Sequence, residues 1–132
     1  MKKVPNISEA EWPIMESLWD KGSATAAEIV AVVTSRRPAA MRTVKTLIRR
    51  LIAKGLVAFT VDEHDSRIYH YRPLISREAG VMDKNRSLLD LVYNNDVGEL
   101  LANFARSADL TGEEINRLRE ILKDKEKGGG HG

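Results

Sequence analysis

The chain has 132 residues, 42% of them apolar and 30% charged, with a formal net charge of +2 and no cysteine. That length allows one domain or two very small ones, and the absent thiols exclude disulfides, thiolate metal sites and cysteine nucleophiles. No run of 18 apolar residues occurs, and MKKVPNISEAEW lacks the apolar core of a secretory signal, so a cytoplasmic protein without membrane insertion is expected.

Four capping boxes punctuate the chain: Ser8–Glu11, Thr25–Glu28, Asp96–Glu99 and Thr111–Glu114. In each, the first side chain accepts from an amide at a helix start, and the glutamate supports the same positive terminus. A first helix is expected over about 9–21, with Met15, Leu18 and Trp19 inward and Gly22 as its stop. The second runs over about 26–34, with Ile29, Val32 and Val33 inward. Pro38 breaks the chain before a third helix, about 40–54, which Gly55 ends as a C-cap. The period then changes. Leu56–Val61 and Ile68–Arg72 are rich in β-branched and aromatic residues, and they flank the polar Asp62–Arg67 as a hairpin that Pro73 ends. Three further helices follow at about 77–93, 97–106 and 112–126, and GGGHG closes the chain as a disordered tail over 127–132.

Three helices and a hairpin have the order of a winged helix-turn-helix, so the fold class is mainly α with a small β-hairpin. The DNA-binding domain is placed at 1–75 and a helical dimerisation domain at 76–126. The later helices have too little chain for a core of their own. Their apolar stripes (Leu88, Leu89, Val92, Leu100, Leu101, Phe104, Ile115, Leu118 and Leu122) are expected to meet a second copy.

Function is read from the third helix. Arg36–Lys54 carries seven basic residues and no acidic one, although the whole chain is only +2. At 100° per residue Arg42, Lys45, Thr46 and Arg49 share one face, and Val44, Leu47, Ile48, Leu51 and Ile52 the other. A helix kept only for stability would interleave glutamates, because like charges repel at these spacings. One face can pack while the other lies in a DNA major groove. Arg42, Thr43, Lys45 and Thr46, in the N-terminal half, are placed to meet base edges; Arg49 and Arg50 are placed on phosphates. Thr25 and the start of the second helix offer a phosphate cap, and Arg67 offers either a phosphate contact or a partner for Asp62, Glu63 or Asp65.

Tyr69 and Tyr71 share a strand face and are expected to pack on the third helix rather than stack on bases. Trp12 and Trp19, seven residues apart, are expected in the core or at the dimer contact. His64, His70 and His131 lack metal-ligand spacing, and no Ser-His-Asp or paired-carboxylate arrangement is suggested. Neither a cofactor, a metal nor an enzyme activity is expected.

Several separated segments have a familiar order. ISEAEWPIMESLWDKGSATAAEIV, TVKTLIRRLIAKGLV and IYHYRPLISRE strongly resemble the BlaI/MecI/CopY family of penicillinase-type repressors, over about residues 5–125. The resemblance implies a homodimeric winged-helix repressor on a dyad operator, with the C-terminal helices forming the dimer. It also implies inactivation by a membrane sensor-protease system that cuts an Asn–Phe bond. Glu99-Leu100-Leu101-Ala102-Asn103-Phe104 resembles that site and places the bond between Asn103 and Phe104. The copper-sensing branch carries a cysteine-rich metal motif, which a chain without cysteine does not share. Two alternatives stand beside this reading: a regulator binding a small ligand between wing and dimer helices, and a winged-helix protein–protein module.

Overall fold

In the computed structural model, residues 4–129 are described, and the chain divides into two compact units, Met1–Ser87 and Leu88–Gly132. The first unit holds α1 (Trp12–Lys21), β1 (Ala24–Thr25), α2 (Ala26–Thr34), α3 (Met41–Ala53), β2 (Val57–Val61), β3 (Tyr69–Pro73) and the start of α4 (Arg77–Tyr93). The second unit holds the end of α4, then α5 (Val97–Ser107) and α6 (Gly112–Gly129). The division falls inside α4 instead of at 75/76. Its first turns belong to the winged-helix unit, because Gly80 is buried against Trp19 and Lys84 donates to the Ile7 carbonyl. Of the tail expected to be disordered, residues 127–129 are helical, since α6 continues through Gly129; residues 130–132, with His131, lie outside the described residues.

The element boundaries have local causes. Residues 9–11 form a turn rather than helix, closed by the Ser8–Glu11 box, whose two hydrogen bonds measure 2.9 and 3.1 Å. Pro13, in the first turn of α1, has no amide to donate and tolerates only an early helix position. Thr25 caps α2 reciprocally with Glu28, at 2.8 and 3.2 Å. At the end of α3, Gly55 takes φ +78°, where a side chain would be strained. Its amide donates to Ile52 O and that of Leu56 to Leu51 O, so both end carbonyls are satisfied as in a Schellman turn.

The sheet has three strands, not two, in the order β1-β3-β2. The hairpin pairs Phe59 with Tyr71 and Val61 with Tyr69, while Ala24 and Thr25 add a two-residue strand opposite Tyr71 and His70. Two residues leave no period to read, so only the paired partner reveals β1. The core gathers Ile7, Ile14, Met15, Leu18, Ala24, Ile29, Val44, Ile48, Leu51, Leu56 and Val57. Every one belongs to the first unit. Trp12 and Trp19 meet edge to face with centroids 5.3 Å apart, and Trp19 Nε1 donates to Ile75 O at 2.9 Å, which places them at the core of this unit.

Two results test this packing. A Cβ at Gly80 would lie 2.9 Å from Trp19 Cη2 and 3.1 Å from Cζ2, against an indole held by Ile75. Gly80→Ala is expected to cost about 1–3 kcal/mol by overpacking, read as a lower unfolding midpoint; unchanged stability would show the indole free to move. The second concerns Glu11, 1% exposed, whose Oε1 meets Lys54 Nζ at 2.6 Å and ties the entry of α1 to the end of α3. Burial alone would raise the Glu11 carboxyl, but hydrogen bonds from Lys54 and Ser8 outweigh it and hold it below 4.5. Its contribution is therefore complete above the ordinary value and is lost as pH falls through the lower folded one. Glu11→Ala, which strands Lys54, is expected to cost about 3 kcal/mol in chemical denaturation and to flatten the acid limb of stability. An unaltered acid limb would refute that assignment.

Candidate nucleic-acid interface

Helix α3 carries the two faces that its sequence predicts. Val44, Ile48 and Leu51 are buried, whereas Arg42, Thr43, Lys45, Arg49 and Arg50 are exposed and Thr46 is half-buried. The Thr46 hydroxyl donates to Arg42 O at 3.0 Å, a bond within the helix that uses its proton and leaves the oxygen able to accept. The basic segment is not uniform. Arg36 at one end pairs with Glu16 at 3.2 Å, and Lys54 at the other is held by Glu11. Among the described residues, Arg42, Lys45, Arg49 and Arg50 have no acidic partner within 4 Å. Four cations thus stand on one exposed helix face with nothing to neutralise them.

The flanks of this face differ from it. The Thr25 side chain accepts from Glu28 N, so its oxygen is engaged in the helix cap and Glu28 brings a negative charge to that end. The cap lowers the Glu28 carboxyl through hydrogen bonds from the Thr25 backbone and side chain. On the wing, Asp62 accepts from the amides of His64 and Asp65, both at 3.0 Å, and faces His70 Nε2 at 2.8 Å. The contact with His70 is the largest influence holding the Asp62 carboxyl low. Arg67 is clasped by Asp65 through two contacts of 3.0 Å. Of the two roles open to Arg67, the geometry shows the carboxylate partner; a phosphate would have to compete with Asp65.

Between α3 and the wing lies a cleft of about 730 Å³, which Thr25 and Arg67 also line. Tyr71 is half-buried and packs on the core beside Ile52, as expected of a residue facing the third helix. Tyr69 instead stays exposed and stacks on Phe59, with centroids 4.7 Å apart and planes 4° from parallel. Burial pushes the Tyr71 hydroxyl up, Tyr69 adds to this, and the charge of Arg49 offsets part of it. Phe59, Ile68 and Met41, exposed apolar residues of this cleft, are absent from the residues singled out in the sequence. The hairpin register, which sets Phe59 opposite Tyr71, is the signal that identifies Phe59. Among the described residues, no three His, Asp or Glu side chains converge on a possible metal position.

In the second unit Asn103 and Phe104 lie inside α5, the former half-buried and the latter 51% exposed. Asn103 Oδ1 accepts from Arg106 Nη2 at 2.9 Å, and Asn103 O accepts from the Ser107 hydroxyl at 2.7 Å. Among the described residues, no side chain of α5 or α6 is buried. Leu88, Val92, Leu101, Phe104, Ile115, Leu118 and Leu122 are all exposed, and Leu89 and Leu100 half-buried. No helix is long and apolar enough to cross a membrane among the described residues.

The geometry has relatives. The solution structure of the DNA-binding domain of the repressor BlaI is 29% identical, with a TM-score of 0.51, over 60% of this chain and 93% of that one. The same figures hold for monomeric Bacillus licheniformis BlaI in complex with the blaP half-operator. The transcriptional regulator Tm0710 from Thermotoga maritima, 18% identical with a TM-score of 0.52 over 96% of this chain and 81% of that one, shares the fold. In sequence, the penicillinase repressor of B. licheniformis is 32% identical over 125 residues, 94% of each chain. That of Staphylococcus aureus is 34% identical over 122 residues, 92% of this chain and 94% of its own. The family model described as penicillinase repressor matches residues 7–124, and with that match and these relatives the chain belongs to the penicillinase repressor family.

Proposed function

We infer that this protein is a DNA-binding transcriptional repressor, without enzyme activity, working in the cytoplasm as a homodimer on a dyad operator. The observation that carries this is the exposed face of α3, where Arg42, Lys45, Arg49 and Arg50 stand without acidic partners among the described residues, over a buried apolar face. The BlaI domain bound to a half-operator shares this fold at 29% identity, which supports the same docking here. In that pose Arg42, Thr43, Lys45 and Thr46 meet base edges, Arg49 and Arg50 hold phosphates, and the start of α2 at Thr25 approaches the backbone. Arg67 joins them only by exchanging Asp65 for a phosphate. Dimerisation is supported by the uncovered apolar stripes of α5 and α6 and of the end of α4. Selection of bound fragments from genomic DNA tests the reading: an enriched sequence with two inverted half-sites is expected. Fragments without a shared dyad would overturn it.

For relief of repression, the reading rests on family resemblance together with Asn103–Phe104 in α5. A sensor-protease system that cuts this bond would remove the end of α5, all of α6 and four of the nine proposed dimer residues, Phe104, Ile115, Leu118 and Leu122. The bond lies within a helix, and proteolysis needs extended backbone, so α5 must first unwind locally; none of its side chains is fully buried in the single chain, which favours that opening.

A further inference from the structure

The cleft between α3 and the wing has a composition that duplex DNA does not call for. Its floor is apolar and aromatic: Ile52, Phe59, Ile68, Tyr69 and Tyr71, with Met41 at the edge. Phosphates and sugars ask for cations and hydrogen-bond donors, and bases inside a duplex offer no free face for an aromatic platform. Met41, Phe59, Ile68 and Tyr69 are between 38% and 42% exposed, although the unit has a well-filled core in which to bury such side chains. The Phe59–Tyr69 stack, with planes 4° apart and Tyr71 tilted against both rings, remains partly exposed, so one more flat ring can add to it. Lys45 and Arg49 stand on the wall with no acidic partner among the described residues, and Arg67 is present but held by Asp65. The start of α2 is already satisfied by Glu28 and does not serve as the anion's partner. A cleft of about 730 Å³ lies within the range for small organic ligands, which favour apolar walls with a few placed charges.

We propose that this cleft is a binding site for a flat aromatic carboxylate. Its ring extends the Phe59–Tyr69 stack, and its carboxylate faces Lys45 and Arg49. The same two cations belong to the face that meets DNA in the reading above, so ligand and operator compete for them. The regulatory consequence rests on that reading; the ligand site itself does not. An inducer of this kind would act without proteolysis.

The test uses the full chain and 2-naphthoate as probe, with neutral 2-naphthamide as control, in calorimetric titrations without DNA. One naphthoate per subunit is expected, with the amide at least about tenfold weaker because it lacks the charge. Phe59→Ala and Tyr69→Ala, both at exposed positions, are each expected to weaken naphthoate at least about tenfold while thermal unfolding remains cooperative. Saturating naphthoate must then weaken operator binding, and operator must weaken naphthoate by the same factor. No binding at about 10 mM, beyond the weakest affinities counted as specific, overturns the proposal. So does equal binding of the amide, or binding indifferent to both substitutions. Naphthoate that binds as expected yet leaves operator affinity unchanged overturns the competition. If the chain fails to bind DNA at all, the titrations without DNA still judge the site.

Discussion

Between about 50 and about 200 mM salt, operator affinity is expected to fall by at least about a hundredfold, as for a protein that neutralises about four phosphates. The expectation follows from counting cations that are free to act. Arg36 and Lys54 are occupied by Glu16 and Glu11, so their charge is not available to DNA without breaking contacts within the fold. Among the described residues Arg37, Arg42, Lys45, Arg49 and Arg50 remain, of which Arg49 and Arg50 are the ones placed on phosphates, and two subunits present each of them twice. Each phosphate neutralised steepens the logarithmic salt dependence by about 0.9. Arg50→Ala should therefore make the slope shallower by nearly 2 in a dimer and weaken all sequences alike. Lys45→Ala should mainly relax sequence preference, because a base contact discriminates by about 1–3 kcal/mol per pair. Binding isotherms of both variants on operator and on unrelated duplex, at several salt concentrations, separate the two. Identical profiles would sink the division of roles along α3.

The second large effect concerns the other unit. Replacing Leu118 and Leu122 of α6 by glutamate is expected to leave the winged-helix unit folded and to halve the mass measured by light scattering. Both side chains are exposed in the single chain, so the substitution disturbs no interior of the subunit. Operator affinity should fall by about 10²–10⁴-fold, since the second half-site then loses its effective concentration. A chain ending at Asn103, the product of the proposed cut, should behave likewise. Its half-site affinity should survive, because the whole apolar core lies between Ile7 and Val57. A doubly substituted protein that stays dimeric, or a monomer that binds the full operator undiminished, would refute the link between dimer and affinity.

Much of this architecture was legible in the sequence because its devices are local. The Thr25–Glu28 box placed α2 to the residue, and Gly55 placed the end of α3 within one. The two faces of α3 follow from a simple period and emerge as predicted. What escaped was non-local. Strand β1 exists only because Tyr71 and His70 lie opposite Ala24 and Thr25. Pro73 ends the hairpin in the sequence, but nothing there shows that α4 begins against the first unit, where Gly80 is small enough for Trp19 to rest on it. Within the basic segment, spacing rules could show that no acid lay one turn away, but not that Glu11 and Glu16 reach in from α1. The site was narrowed by that discovery. The same blindness hid Phe59, whose meaning depends on the register of a hairpin.

The α5 and α6 stripes, bare in the single chain, have one consequence in the economy of the cell. If they are covered only by another subunit, the stability of this region depends on copy number, and each tenfold dilution removes about 1.4 kcal/mol from it. Newly made or surplus subunits would then be the ones exposed to general proteases, and paired subunits would persist. The turnover of such a repressor would rise as its concentration fell, so that a modest drop in synthesis switches a promoter more sharply than the binding curve alone.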